Sequence, residues 1–107
     1  MKIEFEKDYL KELYLESKTS DRKKRFQPQV IKQYVKTVNK LKNAKNAEDL
    51  YQQPSLRYEK KSGNLSNIEA VWVNDQYRLE FISREEGEEP NVIVICSLTE
   101  LSNHYKH

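Results

Sequence analysis

Residues 56–82 show the clearest alternation of apolar and polar positions in the chain. From Tyr77 to Phe81 every second residue is apolar, and this period of two is typical of a β-strand with one buried face. Residues 68–73 are apolar on both faces, which predicts an interior strand. Turn signals at Ser62-Gly63-Asn64 and Asn74-Asp75 flank that strand. The segment therefore predicts a meander of three strands, whose last strand has an apolar face and a face with Arg78, Glu80 and Ile82.

The first half of the chain has helical periodicity. After an alternating strand over residues 2–6, Asp8 is placed to cap a short helix whose apolar residues share one side. Pro28 stands where a second helix begins, and apolar residues then recur at spacings of three and four. Residues 47–51 form one further helical turn, which ends before Pro54. The apolar positions of the second helix are Val30, Ile31, Tyr34, Val35, Val38 and Leu41.

The remaining residues complete a single domain over residues 1–107. Residues 83–90 are acidic and predict a hairpin tip, and residues 92–96 predict a central strand. Residues 99–106 predict a short closing helix with Thr99 as its cap. The expected fold class is α+β, with a mostly antiparallel sheet, two N-terminal helices on one face and a short C-terminal helix.

Charge is distributed unevenly along the chain. Residues 1–61 carry 16 Lys and Arg against 9 Asp and Glu, giving +7, whereas residues 62–107 carry 3 against 8, giving −5. Such asymmetry indicates a basic surface that binds a partner. Its densest part is Arg22, Lys23, Lys24 and Arg25, and this run is either a nucleic-acid contact or a solvated connector. The lysines of the second helix do not indicate a binding partner, because an ordinary solvated helix face explains them equally well.

Several classes of protein are disfavoured by the residues present. The single cysteine, Cys96, lies in an apolar run and is expected to be a small buried hydrophobe. No apolar run is long enough for a signal peptide or a membrane span, so a reducing cytoplasm is the expected compartment. His104 and His107 alone do not make a zinc site. We expect no cofactor, since there is no Gly-rich phosphate loop and no serine or cysteine triad.

Two strings of residues resemble a known family. LRYEKKSGN at residues 56–64 and VWVNDQYRLEF at residues 71–81 resemble the HigB-type toxins of the RelE/ParE superfamily, in which an LHPLKGD-like motif precedes a similar hairpin. The resemblance continues through the helix at Pro28 and residues 46–50, and ends at Asn103-His104-Tyr105. It implies a compact RelE-like fold and a type II toxin that cleaves translated mRNA on the ribosome without a metal. It also implies neutralisation by a HigA-like helix-turn-helix antitoxin.

The resemblance assigns roles to individual residues. Arg78 matches the family's strand arginine, Glu59 stands where the family has a histidine, and Ser62 stands where it has a lysine. Cleavage by the 2′-hydroxyl requires a base, cations and an acid. The catalytic candidates are Arg78, Glu59, Lys61, His104 and Tyr105, and the RNA-binding candidates are Arg22, Lys23, Lys24, Arg25, Arg57 and Lys60.

Each role has a structural alternative. Arg78 can form an ion pair with Glu80, Tyr105 can be a core aromatic, and His104 an exposed polar residue near the end of the chain. Lys60 and Lys61 can be the charged edge of a sheet. At the level of function, the alternatives are a ParE-like inhibitor that binds DNA gyrase and a non-toxic basic RNA-binding domain.

Overall fold

The computed structural model describes residues 1–61 and 67–103, and a five-stranded sheet forms its centre. The strand order is β1-β5-β4-β3-β2. Strand β1 runs parallel to β5, and every other neighbouring pair is antiparallel, which confirms the predicted mostly antiparallel sheet. The strands are β1 (Lys2–Phe5), β2 (Glu59–Lys60), β3 (Glu69–Trp72), β4 (Arg78–Glu86) and β5 (Ile93–Ser102).

Two N-terminal helices cover one face of the sheet, as the periodicity predicts. They are α1 (Asp8–Glu16) and α2 (Pro28–Asn43), followed by the short α3 (Ala47–Tyr51) and a 3-10 turn (Pro54–Leu56). The helix side chains pack with alternate residues of β3, β4 and β5 in one apolar core. The Tyr34 hydroxyl donates to the Leu10 carbonyl oxygen at 2.7 Å and so joins α2 to α1 inside that core. None of the helices in the described part of the chain is long and apolar enough to cross a membrane.

The helix starts agree with the sequence except at α1. Pro28 occupies the first turn of α2, where its missing N–H is no loss, and the Asn46 side chain accepts from the Asp49 N–H to cap α3. The prediction that Asp8 caps α1 was wrong, because Lys7 is the extended residue before the helix and Asp8 lies in its first turn. The Asp8 carboxylate still suits that position, since the helix dipole favours negative charge there.

The predicted C-terminal helix is wrong over residues 99–102, which belong to strand β5. Leu98 pairs with Phe81 and Glu100 with Glu80, so Thr99 is one extra residue in β5. This bulge lets Leu98 and Leu101 both face the core although they are three residues apart. A spacing of three normally indicates a helix, and the bulge reproduces it in a strand. The rest of the predicted helix, residues 104–106, lies outside the described residues.

The acidic segment 83–90 is only partly a loop. Ser83 pairs with Cys96 and Glu86 with Ile93, so β4 continues to Glu86 and the turn follows it. These polar residues were predicted to form a hairpin tip. They form a strand because the apolar residues of β5 pair with them. A hairpin turn at Asn74-Asp75 is confirmed, because the Asn74 side chain accepts the N–H groups of Gln76 and Tyr77 there. The turn also includes Gln76, since the Val73 N–H donates to the Tyr77 carbonyl oxygen across it, and β4 starts only at Arg78. The turn predicted at Ser62-Gly63-Asn64 lies outside the described residues.

Cys96 is fully buried, as its apolar neighbours predict. Burial, reinforced by the nearby Glu69 carboxylate, raises the pKa of its thiol far above the ordinary value. We therefore expect native protein to resist an aromatic disulfide reagent at pH 8, while guanidinium-unfolded protein reacts with one equivalent. Absorbance of the released thiolate measures both. Rapid labelling of the native protein, with its circular dichroism unchanged, would show that Cys96 is accessible in the fold.

Candidate functional site

The sheet face opposite the helices, called the outer face, carries the strand arginine. Leu79 and Phe81 of β4 point into the core, so the alternate residues of that strand face the other way. Arg78 pairs with Trp72 of β3 on one side and with Ser102 of β5 on the other. Paired residues share a face of the sheet, so Trp72, Arg78 and Ser102 form a row across three strands, here called the Arg78 row.

Arg78 is held in place by the hairpin that precedes it. Its Nη1 donates to the carbonyl oxygen of Asn74 at 2.9 Å and to that of Tyr77 at 3.2 Å, and the side chain is half-buried. Because a guanidinium has five N–H donors in a planar fork, a group fixed in this way is suited to bind a phosphate.

The candidate residues on the edge strand β2 lie on different faces of the sheet. Glu59 pairs with Ala70, which pairs with Glu80, so Glu59 is on the outer face with Arg78. The Lys61 ammonium lies 3.0 Å from the Glu59 carboxylate. Lys60 pairs with Glu69 and belongs to the alternate set, which places it on the other face from Arg78.

Arg57 lies beside the Arg78 row. Its guanidinium carbon is 4.9 Å from the centre of the Trp72 ring, at a distance typical of a cation–π contact. The Arg57 side chain is exposed, whereas Trp72 is half-buried. Two arginines therefore lie next to one indole ring at the end of the sheet where β4 begins.

The loop of residues 19–26, here called the basic loop, reaches the same end of the sheet. Its backbone is ordered by Asp21, whose side chain accepts the Lys23 N–H at 2.9 Å. Phe26 packs edge-on against Tyr77, the residue before Arg78, at a centroid distance of 5.3 Å. Phe26 thus attaches the loop beside the start of β4, and the loop's cations Arg22, Lys23 and Arg25 are exposed.

Glu100 of β5 connects the basic loop to the sheet. Its carboxylate lies 2.9 Å from the Lys7 ammonium and 3.4 Å from that of Lys24, and it accepts the Tyr9 hydroxyl. Burial opposes ionisation of Glu100, but the hydrogen bonds from Tyr9 and Lys7 and the charge of Lys24 outweigh it, so its pKa lies below the usual value. Lys24 therefore holds the loop to β5 and leaves the other three cations outward.

The Tyr9 hydroxyl has a second role, because it also accepts the Leu101 N–H at 3.0 Å just beyond the bulge. Tyr9→Phe leaves that buried amide without its partner, and we expect the free energy of unfolding to fall by about 1–3 kcal/mol. Urea unfolding followed by circular dichroism measures the change. Tyr14→Phe is the matched control, because its hydroxyl contacts Asn39 at an exposed position of the same helix. Equal losses in the two variants would contradict a special role for Tyr9.

The far end of the outer face is chemically different. Arg84 is the other arginine of β4, and its guanidinium lies 3.0 Å from Glu4 and 3.4 Å from Glu86. Hydrogen bonding to Glu4 raises the pKa of Arg84, which remains charged and neutralised by carboxylates. The positive end of the outer face is therefore the end with Arg57 and Arg78.

Two of the proposed catalytic residues, His104 and Tyr105, lie outside the described residues. Within residues 1–61 and 67–103 there is no group of three His, Cys, Asp or Glu side chains placed to hold a metal ion. Sequence reasoning did not identify Trp72, Tyr9 or Glu100 as parts of this region. The sequence pattern marked Trp72 only as part of an interior strand, and its pairing with Arg78 is seen only in the structure. Tyr9 gave the pattern of an ordinary core residue.

Comparison with known proteins identifies the family. A family model described as the RelE-like toxin of the type II toxin-antitoxin system HigB matches residues 3–94. The chain therefore belongs to the HigB-like toxins, whose partner is an antitoxin. The fold is similar to that of the YoeB/ParE toxin from Agrobacterium tumefaciens, with a TM-score of 0.54, 13% identity, and coverage of 98% of this chain and 100% of that one. At this identity the likeness shows the fold alone. No curated protein matches the chain.

Proposed function

We propose that this toxin is a ribosome-dependent mRNA interferase, an endoribonuclease that cleaves translated mRNA in the ribosomal A site. The observation that carries the proposal is the position of Arg78. Its guanidinium is fixed by two backbone carbonyl groups on the outer face, at the end of the sheet reached by the basic loop. Membership of the HigB-like family supports the same reaction.

The proposed reaction needs no metal ion. The 2′-oxygen forms a bond to the adjacent phosphorus, the bond from phosphorus to the 5′-oxygen breaks, and the products are a 2′,3′-cyclic phosphate and a 5′-hydroxyl. Arg78 stabilises the negative charge that develops on the non-bridging oxygens of the phosphorane. Because its position is set before RNA binds, little reorganisation is needed during the reaction.

Two proton transfers complete the reaction. Glu59 is the proposed acceptor of the 2′-hydroxyl proton, since it is an exposed carboxylate on the same face as Arg78. Lys61, next to Glu59, supplies a further positive charge near the phosphate. His104 or Tyr105 is the proposed donor of the proton to the departing 5′-oxygen, a role that the family resemblance implies.

The proposed partners follow from charge and family. The outward cations of the basic loop contact the phosphates of ribosomal RNA and mRNA near the A site, while Lys24 holds the loop in place. Arg57 belongs to this positive surface, and Lys60 contacts RNA from the other side of the edge strand. A HigA-like antitoxin with a helix-turn-helix domain neutralises the toxin, and the compartment is the cytoplasm, where translation takes place.

A cell-free translation reaction tests the proposal. Purified toxin added to translating ribosomes should produce cuts in mRNA that primer extension maps to codons in the A site, and the same mRNA without ribosomes should remain intact. The upstream fragments should end in a cyclic phosphate. Intact mRNA, together with inhibition of purified DNA gyrase in a supercoiling assay, would instead establish the gyrase-binding alternative.

A further inference from the structure

Trp72 ends strand β3 on the outer face, directly in register with Arg78. It is the chain's single tryptophan. Its ring is half-buried, and its indole N–H is buried without a hydrogen-bond partner in the described structure. An aromatic ring at this position is not needed for the apolar core, which lies on the opposite face and does not include Trp72.

Arg57 is placed over this ring by its backbone. It follows the 3-10 turn in the left-handed conformation, with φ of 44°, and its N–H donates to the Pro54 carbonyl oxygen at 3.1 Å. A non-glycine residue in this region is energetically unfavourable by about 1 kcal/mol or more, so neighbouring contacts must stabilise it. Leu56, which is fully buried, anchors the turn immediately before it.

The geometry creates a layered surface. The exposed Arg57 guanidinium lies over the half-buried Trp72 ring, with its central carbon 4.9 Å from the ring centre. A guanidinium plane on an aromatic ring can stack an unpaired nucleobase, as arginine and aromatic side chains do in single-stranded RNA recognition. Adjacent strands lie roughly 4.8 Å apart, so Arg78 can hold a phosphate beside a base stacked at this position.

We propose that Arg57 and Trp72 form a stacking platform for one unpaired nucleobase of single-stranded RNA, next to the phosphate bound by Arg78. This inference rests on the proposed RNA-directed function and adds a subsite to it. The platform orients the nucleotide by its base plane, so that the phosphodiester lies against Arg78. Stacking is tolerant of base identity, because every base has a planar face.

The intrinsic fluorescence of Trp72 gives a direct test, since no other tryptophan contributes. The probe is a 2′-O-methyl RNA hexamer, which lacks the nucleophile for cleavage, compared with a hexamer of the same charge whose sugars are abasic. We expect the base-containing hexamer to quench the fluorescence and the abasic one to leave it almost unchanged. Arg57→Lys keeps the charge but loses the planar group, and should weaken hexamer binding by about 5- to 150-fold.

Lys36→Ala is the matched control, because it removes an exposed cation from α2, on the helix side of the sheet, without touching the ring. It should bind the hexamer within about twofold of the unmodified protein, as expected for a screened surface charge. Equal quenching by the abasic hexamer, or unchanged binding by Arg57→Lys, would overturn the platform and leave only a charge contact.

The same variants separate this proposal from the nuclease function. If the platform exists but the protein does not cleave mRNA, hexamer quenching persists while translated mRNA stays intact. If the protein cleaves mRNA without using the platform, Arg57→Lys cuts translated mRNA as fast as the unmodified toxin does. A selective loss of both quenching and cleavage in Arg57→Lys, with circular dichroism unchanged, supports the platform as part of the nuclease site.

Discussion

Arg78→Ala is expected to abolish growth arrest and to lower the rate of mRNA cleavage on the ribosome by about 10²–10³-fold. The variant removes the group proposed to stabilise the phosphorane and leaves the basic loop intact. Cleavage is measured by primer extension in the translation reaction, and growth arrest by induced expression without antitoxin. Since Arg78 also bonds to two hairpin carbonyl groups, the thermal midpoint of each variant is measured with its activity.

Arg84→Ala is the control for this prediction. It removes an arginine from the same strand and the same face, but at the end where carboxylates neutralise it. We expect it to cleave mRNA at nearly the normal rate. If Arg78→Ala remained folded and toxic, or if both arginine variants lost the same activity, Arg78 would not be the phosphate-binding group.

Neutralising the basic loop should weaken the toxin's binding to ribosomes. The triple variant Arg22→Gln, Lys23→Gln and Arg25→Gln removes the three outward cations and keeps Lys24, which anchors the loop to Glu100. Each cation that contacts a phosphate releases counterions, so the slope of log affinity against log salt should become shallower by about 2. Sedimentation with purified ribosomes over a series of KCl concentrations gives this slope.

A second triple variant controls for net charge. Lys32→Gln, Lys36→Gln and Lys40→Gln removes the same number of cations from the exposed side of α2. We expect it to keep the original salt slope, since those lysines lie on the helix layer rather than at the Arg78 end of the sheet. Equal weakening by the two triple variants would mean that overall charge matters and that the basic loop is not the contact.

Periodic segments were predictable because local pattern and tertiary environment agree. Helix α2 starts at Pro28 and has apolar residues at helical spacing, and the first half of β4 alternates between the two faces through Leu79 and Phe81. The terminal segment failed because the bulge at Thr99 is a property of two paired strands. The sequence of one strand does not show where an extra residue will interrupt its pairing with the next strand. The spacing of Leu98 and Leu101 was therefore misinterpreted as helical.

The candidate site was predictable only where a residue matches a motif. Arg78 was found through the hairpin string, and its position on the outer face follows from alternation. The cluster of Tyr9, Lys24 and Glu100 depends on contacts between residues far apart in sequence, which no local pattern reveals. The Arg57 and Trp72 contact was missed for the same reason, because a turn and a left-handed residue bring them together.

The parallel pairing of β1 with β5 has a consequence for the newly made protein. Ile3 pairs with Cys96, so β1 cannot join the sheet until β5, which is synthesised much later, is available. Contacts between such distant segments form late in folding, because closing a long loop is entropically costly. A nascent chain from which β5 has not yet emerged therefore has an incomplete sheet, and β1 can pair only after β5 has been synthesised.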